Sequence, residues 1–242
     1  MALAGDNAQY HLWLARAYAK AAPSASWLGA VSLALRARHE FERAVELDPR
    51  DAVARSDLAE YYIEAPAVVG GSLREAEAQA DAVAAIDPAR AHSLRGRIAD
   101  ARKDDAAARS EYEAAAREAP RNPTAWYELG DWLRRHGEEE GERRALEHLL
   151  DAGVVDTDGS RFDAAQMLVD TGGDAGLAEK ILRKALEAPP LEDRPAFRLH
   201  VLLGSLLEHQ GDRDGAVHEY RTALAMASEF GPAAQALARL GA

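Results

Sequence analysis

The chain has 242 residues, 48% of them hydrophobic and 29% charged, so it carries enough apolar surface to fold, and wholesale disorder is excluded. Its net charge of −12 argues against general nucleic-acid binding, which needs a basic footprint. No apolar run of about 18 residues is present to span a membrane, and the absence of cysteine excludes disulfides and thiolate metal sites.

In chain order, Met1 to Gly5 is too short to be a signal peptide. Ala2-Leu3-Ala4-Gly5-Asp6-Asn7-Ala8 reads as the tail of an earlier repeat, so more chain is expected upstream. The expected setting is soluble, either cytoplasmic or periplasmic. Alanine is abundant and aromatic residues make up only 6%, which favours helices. A pattern of small and large apolar residues then recurs as helical pairs. Leu14, Ala15 and Tyr18 begin the first pair, and Ala37, Phe41, Ala44 and Pro49 complete it. Tyr18 and Ala37 stand 19 apart, where about 9 is usual, so the connection holding Pro23 and Trp27 is expected to be enlarged. The second pair has Leu58, Ala59, Tyr62, Ala76, Val83 and Pro88, with a shorter insertion at Ala65 to Gly71. Of the adjacent Tyr61 and Tyr62, one is expected in the core and the other toward a groove. His92, Gly96, Ala99, Ala108, Tyr112, Ala115 and Pro120 form the third pair without insertion. The fourth opens on Trp126, Leu129, Gly130, Leu133 and Gly137, but Glu142 falls where alanine is expected. A displaced helix and an irregular link from Gly153 to Gly159 are predicted there. Phe162, Ala165, Val169, Gly173, Ala178, Leu182, Ala185 and Pro190 mark the fifth pair. Leu203-Gly204, Leu207, Gly211-Asp212, Ala216, Tyr220, Ala223 and Pro232 mark the sixth.

These residues stand at almost the offsets of the tetratricopeptide repeat, which the chain resembles from about Ala8 to Leu240. The resemblance implies an all-α, right-handed superhelix of about six helical pairs closed by a capping helix. As one solenoid over 1–242, the repeats fall at about 8–49, 51–88, 89–120, 122–153, 160–190 and 193–228, with the cap at 232–240. Tyr10 to Tyr18, Phe41 to Pro49, and Tyr62 to Pro66 followed by Gly70-Gly71 look like bacterial members with an enlarged first repeat.

Few residues suggest chemistry. Gly70-Gly71-Ser72 opens a helix but lacks a complete phosphate-binding fingerprint; Ser72 and Glu75 read better as a capping box. Asp156-Thr157-Asp158-Gly159 does not keep the ligand spacing of a calcium loop, and reads as a polar linker in which Ser160 or Asp158 caps the next helix. The eight histidines form no metal-binding spacing; His92 and His200 sit at equivalent core or groove positions. Glu138 to Glu140 with Glu142 suits a solvated helix start. No catalytic residue, metal or cofactor is expected.

The resemblance places the partner on the concave face, lined by first helices. The candidate partner-binding residues there are Arg16, Lys20, Glu60, Arg97, Tyr127, Asp131, Arg134, Arg135 and His209, with Leu12 and Ser56 on the same map. Arginine forks suit carboxylates, so a protein or peptide with acidic groups is the expected guest and Tyr127 an aromatic anchor. The competing reading pairs the arginines within the face, Arg97 with Asp100 or Arg135 with Asp131. The chaperone-type carboxylate clamp is not matched, because asparagine is missing from its sites. The reading is a non-enzymatic interaction scaffold. Its alternatives are a module self-associating through the N-terminal repeat and an accessory subunit of a larger complex.

Overall fold

The computed structural model describes residues 7–153, 159–189 and 195–242. Thirteen α-helices, two short 3₁₀ turns and no strand occur among them. The chain divides into two compact units, Met1–Ala119 and Pro120–Ala242. The first unit contains α1 (Ala8–Ala21), α2 (Trp27–Leu47), α3 (Ala52–Glu64), α4 (Leu73–Ala84), α5 (Pro88–Ala101) and α6 (Asp105–Glu118). The second contains α7 (Pro123–Arg135), α8 (Glu139–Asp151), α9 (Ser160–Thr171), α10 (Ala175–Leu186), α11 (Ala196–His209), α12 (Arg213–Met226) and α13 (Gly231–Leu240). Consecutive helices pack as six pairs, and α13 lies against α12. The fold is an all-α stack of helical pairs.

Short polar side chains start most of the helices. Asn7, Asp51, Ser72, Asp87, Asp104, Asn122, Asp174 and Asp212 each accept a backbone N–H of the turn they precede. A cap of this kind contributes about 0.5–2 kcal/mol. Pro88 and Pro123 occupy first turns, where a missing N–H costs nothing.

Within a pair, a small residue on the first helix meets a large one on the second. A Cβ added to Gly96 would stand 2.9 Å from the Tyr112 ring, and one added to Gly204 would stand 2.8 Å from Tyr220. Tyr112 and Tyr220 are buried, and Tyr220 donates its hydroxyl to Glu208 at 3.0 Å. A second contact recurs above these. His92 Nδ1 lies 2.7 Å from Glu111 Oε2, His200 Nδ1 lies 2.6 Å from Glu219 Oε2, and His11 pairs likewise with Glu40. The partners are 19 apart in the third and sixth pairs and 29 apart in the first, whose second helix is longer.

That length is where the first insertion goes. Only a 3₁₀ turn at Ala22–Ser24 and two further residues separate α1 from α2, which runs for 21 residues. The connection is therefore not enlarged; the extra residues extend α2 at its N-terminus, because Trp27 to Arg36 contains no helix breaker other than Gly29. The second insertion does remain irregular. It folds back so that Val69 is buried and its carbonyl accepts the Tyr61 hydroxyl at 2.8 Å. A side chain at Gly71 would strike the Ala65 carbonyl oxygen, 1.7 Å from its Cβ position. This fold-back buries Tyr61 beside Tyr62, so neither tyrosine faces a groove.

Several local expectations are corrected. Ser72 caps Glu75 N–H at 3.3 Å, but its own N–H goes to the Tyr62 carbonyl, so the reciprocal half of the capping box is absent. Ser160 is not a cap: Gly159 holds that position in a left-handed conformation, and the Ser160 hydroxyl meets Thr124 at 2.9 Å. The acidic loop at 156–158 lies outside the described residues.

The close approach at the pair centre predicts that Gly96→Ala and Gly204→Ala each destabilise by about 1–3 kcal/mol through overpacking. Thermal melting followed by circular dichroism measures this. The exposed Gly176 (nearest atom 3.4 Å) is the control, and alanine there is expected to leave stability unchanged or slightly raised.

Candidate partner-binding face

Side-by-side packing of first helices makes one face in each unit, from α3 and α5 with α1 beside them, and from α7, α9 and α11. In the first unit that face is laced by ion pairs between neighbouring helices. Arg16 of α1 donates to Asp57 of α3 at 2.5 Å. Arg97 of α5 forks across α3, its two terminal nitrogens each 2.6 Å from Glu60 and Glu64. Arg97 thus pairs across helices to Glu60 and Glu64. Lys20 is exposed at the end of α1. Leu12 and Ser56, mapped to the groove from sequence, are both 2% exposed. Leu12 belongs to the apolar cluster that joins α1 to α5, and the Ser56 hydroxyl turns back to the Ala52 carbonyl at 2.8 Å.

In the second unit Asp131 receives two arginines of its own helix, Arg134 at 2.8 Å and Arg135 at 3.0 Å. The Arg135 pairing is the one anticipated as intrahelical. Tyr127 is half-buried; burial raises its hydroxyl pKa first, and the carboxylates of Asp131 and Asp163 raise it further. His209 is exposed and its Nδ1 lies 2.8 Å from the Ser205 carbonyl of its own helix. The structure therefore brings Glu60 and Arg97 together, and Asp131 with Arg134 and Arg135.

Two partners escaped the sequence reading. Asp57, which anchors Arg16, occupies a position that is apolar in the third and sixth pairs, where Leu94 and Leu202 stand. Glu208 gathers Tyr220 and, from α13, Arg239 at 2.8 Å, tying the last helix to the sixth pair. An acid at an otherwise apolar repeat position was the available signal for Asp57; Glu208 stands on the groove map read from sequence, and only its link to Tyr220 and α13 was missed.

Residues 197–230 match the family model described as tetratricopeptide repeat. That segment is a tetratricopeptide repeat. Among solved structures with this fold, yeast Tom70 has a TM-score of 0.58 at 13% identity, over 98% of this chain and 55% of that one. PilW, a widely conserved type IV pilus biogenesis factor, has a TM-score of 0.51 at 16% identity, over 95% and 98%. A monomeric mutant of IFIT1 with m7Gppp-AAAA has a TM-score of 0.51 at 14% identity, over 96% and 59%. This repeat protein spans about half the length of Tom70. At such identities the likeness is one of fold, and the neighbours differ too widely to choose a ligand. No curated protein sequence matches the chain. Among the described residues no helix is long and apolar enough to cross a membrane.

The Arg16–Asp57 pair gives a pH test. Burial holds the Asp57 carboxyl above the ordinary carboxylate range, and the Arg16 guanidinium reverses this only in part. A raised folded-state value means the folded protein holds this proton more tightly than the unfolded chain. That contribution is complete below the unfolded value of about 4 and is lost as pH rises through the folded one. The stability of the native protein relative to Asp57→Asn is expected to be greatest near or below about pH 4 and to decline toward about pH 7. Urea unfolding of both proteins across that range reads it, and a difference that grows with pH contradicts it.

Proposed function

We propose that this protein is a non-enzymatic interaction scaffold in which the first-helix face of each unit holds a peptide or protein segment carrying acidic groups. The observation that carries the reading is the fork of Arg97, fixed between α3 and α5 with its side chain still 27% exposed. Arg16, Arg134 and Arg135 are likewise oriented and partly exposed. Each guanidinium is aimed by an internal carboxylate before any guest arrives. A guest carboxylate exchanges with Glu64, the most exposed of these internal partners at 68%, at little cost. Tyr127 offers the guest an apolar ring beside Asp131 and Arg134.

The decisive measurement is the affinity of a captured partner segment for single and combined variants. Arg97→Glu and Arg134→Glu together are expected to raise its Kd about tenfold or more. Affinity unchanged in the double variant, with the fold intact, removes the first-helix face as the site.

A further inference from the structure

The first helices α3, α5 and α11 each carry a stripe that the preceding pair covers. It lies five positions before, two before and two after the small residue that meets the second helix. Around Gly96 these positions are Ala91, Leu94 and Ile98, at 0%, 2% and 3% exposure. Around Gly204 they are Leu199, Leu202 and Leu206, at 6%, 8% and 4%. Around Ala59, Ala54 and Tyr61 are buried, with the Phe41 ring of α2 lying 6.2 Å from that of Tyr61, and Asp57 takes Arg16. The same stripe on α1, around Ala15, is Tyr10, Trp13 and Ala17. Here Tyr10 is 48% exposed, Trp13 is 56% exposed, and Ala17 is exposed as well.

We propose that this stripe of α1 docks an acidic amphipathic helix of a partner protein, seated as a second helix seats on the pair that follows it. The joint between α4 and α5 shows the chemistry of such an occupant. α4 buries Ala76, Ala80 and Val83 in the apolar cluster of the first unit, and its Glu77 and Asp81 accept from Arg102, just past α5, and from Arg95 of α5 at 2.5 and 2.8 Å. The charge of α1 is complementary to a helix of that type. It holds Arg16 and Lys20 and no Asp or Glu, in a chain of net charge −12. Lys20 stands seven residues beyond Trp13, on the same side of the helix, and the Arg16 guanidinium lies 5.8 Å from the Trp13 ring centre. Tyr10 and Trp13 supply the large aromatic anchors that helix recognition favours. A second copy fits less well, because a symmetric contact sets the basic edge of α1 against itself.

The test uses the full chain and two labelled synthetic helical peptides, read by fluorescence anisotropy. Both peptides carry an alanine and valine stripe; one is flanked by glutamate and the other by lysine. The glutamate peptide is expected to bind and the lysine peptide not to. Trp13→Ala and Ala17→Glu are expected to weaken binding about tenfold or more, and Arg97→Glu by less than about twofold. Ala17 is exposed, so its variant keeps the native melting temperature and remains informative if Trp13→Ala does not fold. Equal binding of both peptides, or binding of neither, overturns the proposal. Sensitivity to Arg97→Glu but not to Ala17→Glu overturns it as well, while leaving the first-helix reading standing. Self-association in sedimentation that Ala17→Glu abolishes assigns the stripe to a second copy and likewise overturns it.

Discussion

Close approach of the two helices within a pair is the constraint on which everything else rests. Gly96 against Tyr112 and Gly204 against Tyr220 leave no room for a methyl group, and Gly130 approaches Leu146 to a Cβ distance of 3.1 Å. Helices held so near bury one face of each against the other, but a pair alone leaves its flanks apolar. Stacking is the remedy. The apolar cluster of the first unit therefore runs continuously from Leu12 to Ile98, and that of the second from Leu146 to Leu237. Surfaces not used for stacking are then free to be polar, and that is where the charge goes.

An excess of 41 acidic over 29 basic residues does not produce an acidic working face. Asp51, Asp87, Asp104, Asp174 and Asp212 are used as helix caps, where the backbone N–H groups and the macrodipole already favour a negative charge. Others are spent across joints, as Glu77 is on Arg102 just past α5 and Asp81 on Arg95 within it. Glu111 and Glu219 close on histidines inside their own pairs. Net charge is thus a poor guide to what a particular helix face presents.

The helical pairs were legible because their signal is local: Ala15, Gly96 and Gly204 recur at fixed distances from Phe41, Tyr112 and Tyr220, apart from the insertion in the first pair. The insertion at 65–71 was legible for the same reason, since Pro66 and Gly70-Gly71 interrupt a helix wherever they stand. The fate of the first insertion was not. Length alone does not say whether extra residues become loop or helix, and the run after Trp27 extended α2 by propensity. Partner choice across helices was less legible still. Arg97 has Asp100 three residues away and carboxylates of α3 across the face, and only the packing of α5 on α3 reveals that Glu60 and Glu64 take it. The aromatic pair Tyr61 and Tyr62 was misread because alternation assigns one of two neighbours outward, whereas the returning segment through Val69 covers the second.

Internal pairing of the candidate arginines does not remove them from use. A buried ion pair broken by a guest leaves an uncompensated charge and costs several kcal/mol, of the order of 3–5. The Arg97 pairs are of another kind: Glu60 is 42% and Glu64 68% exposed, so water solvates either carboxylate once it is released. Half-exposed pairs contribute about 0–1 kcal/mol, which a guest carboxylate held by a two-pronged guanidinium recovers. What the internal partners do supply is orientation. A free arginine loses rotamer entropy when it captures a ligand, and one already stretched between α3 and α5 has lost most of it on folding. Under the scaffold reading proposed above, the ladder of ion pairs on the first-helix face is a set of side chains arrested in a binding posture, with the internal carboxylates as replaceable occupants.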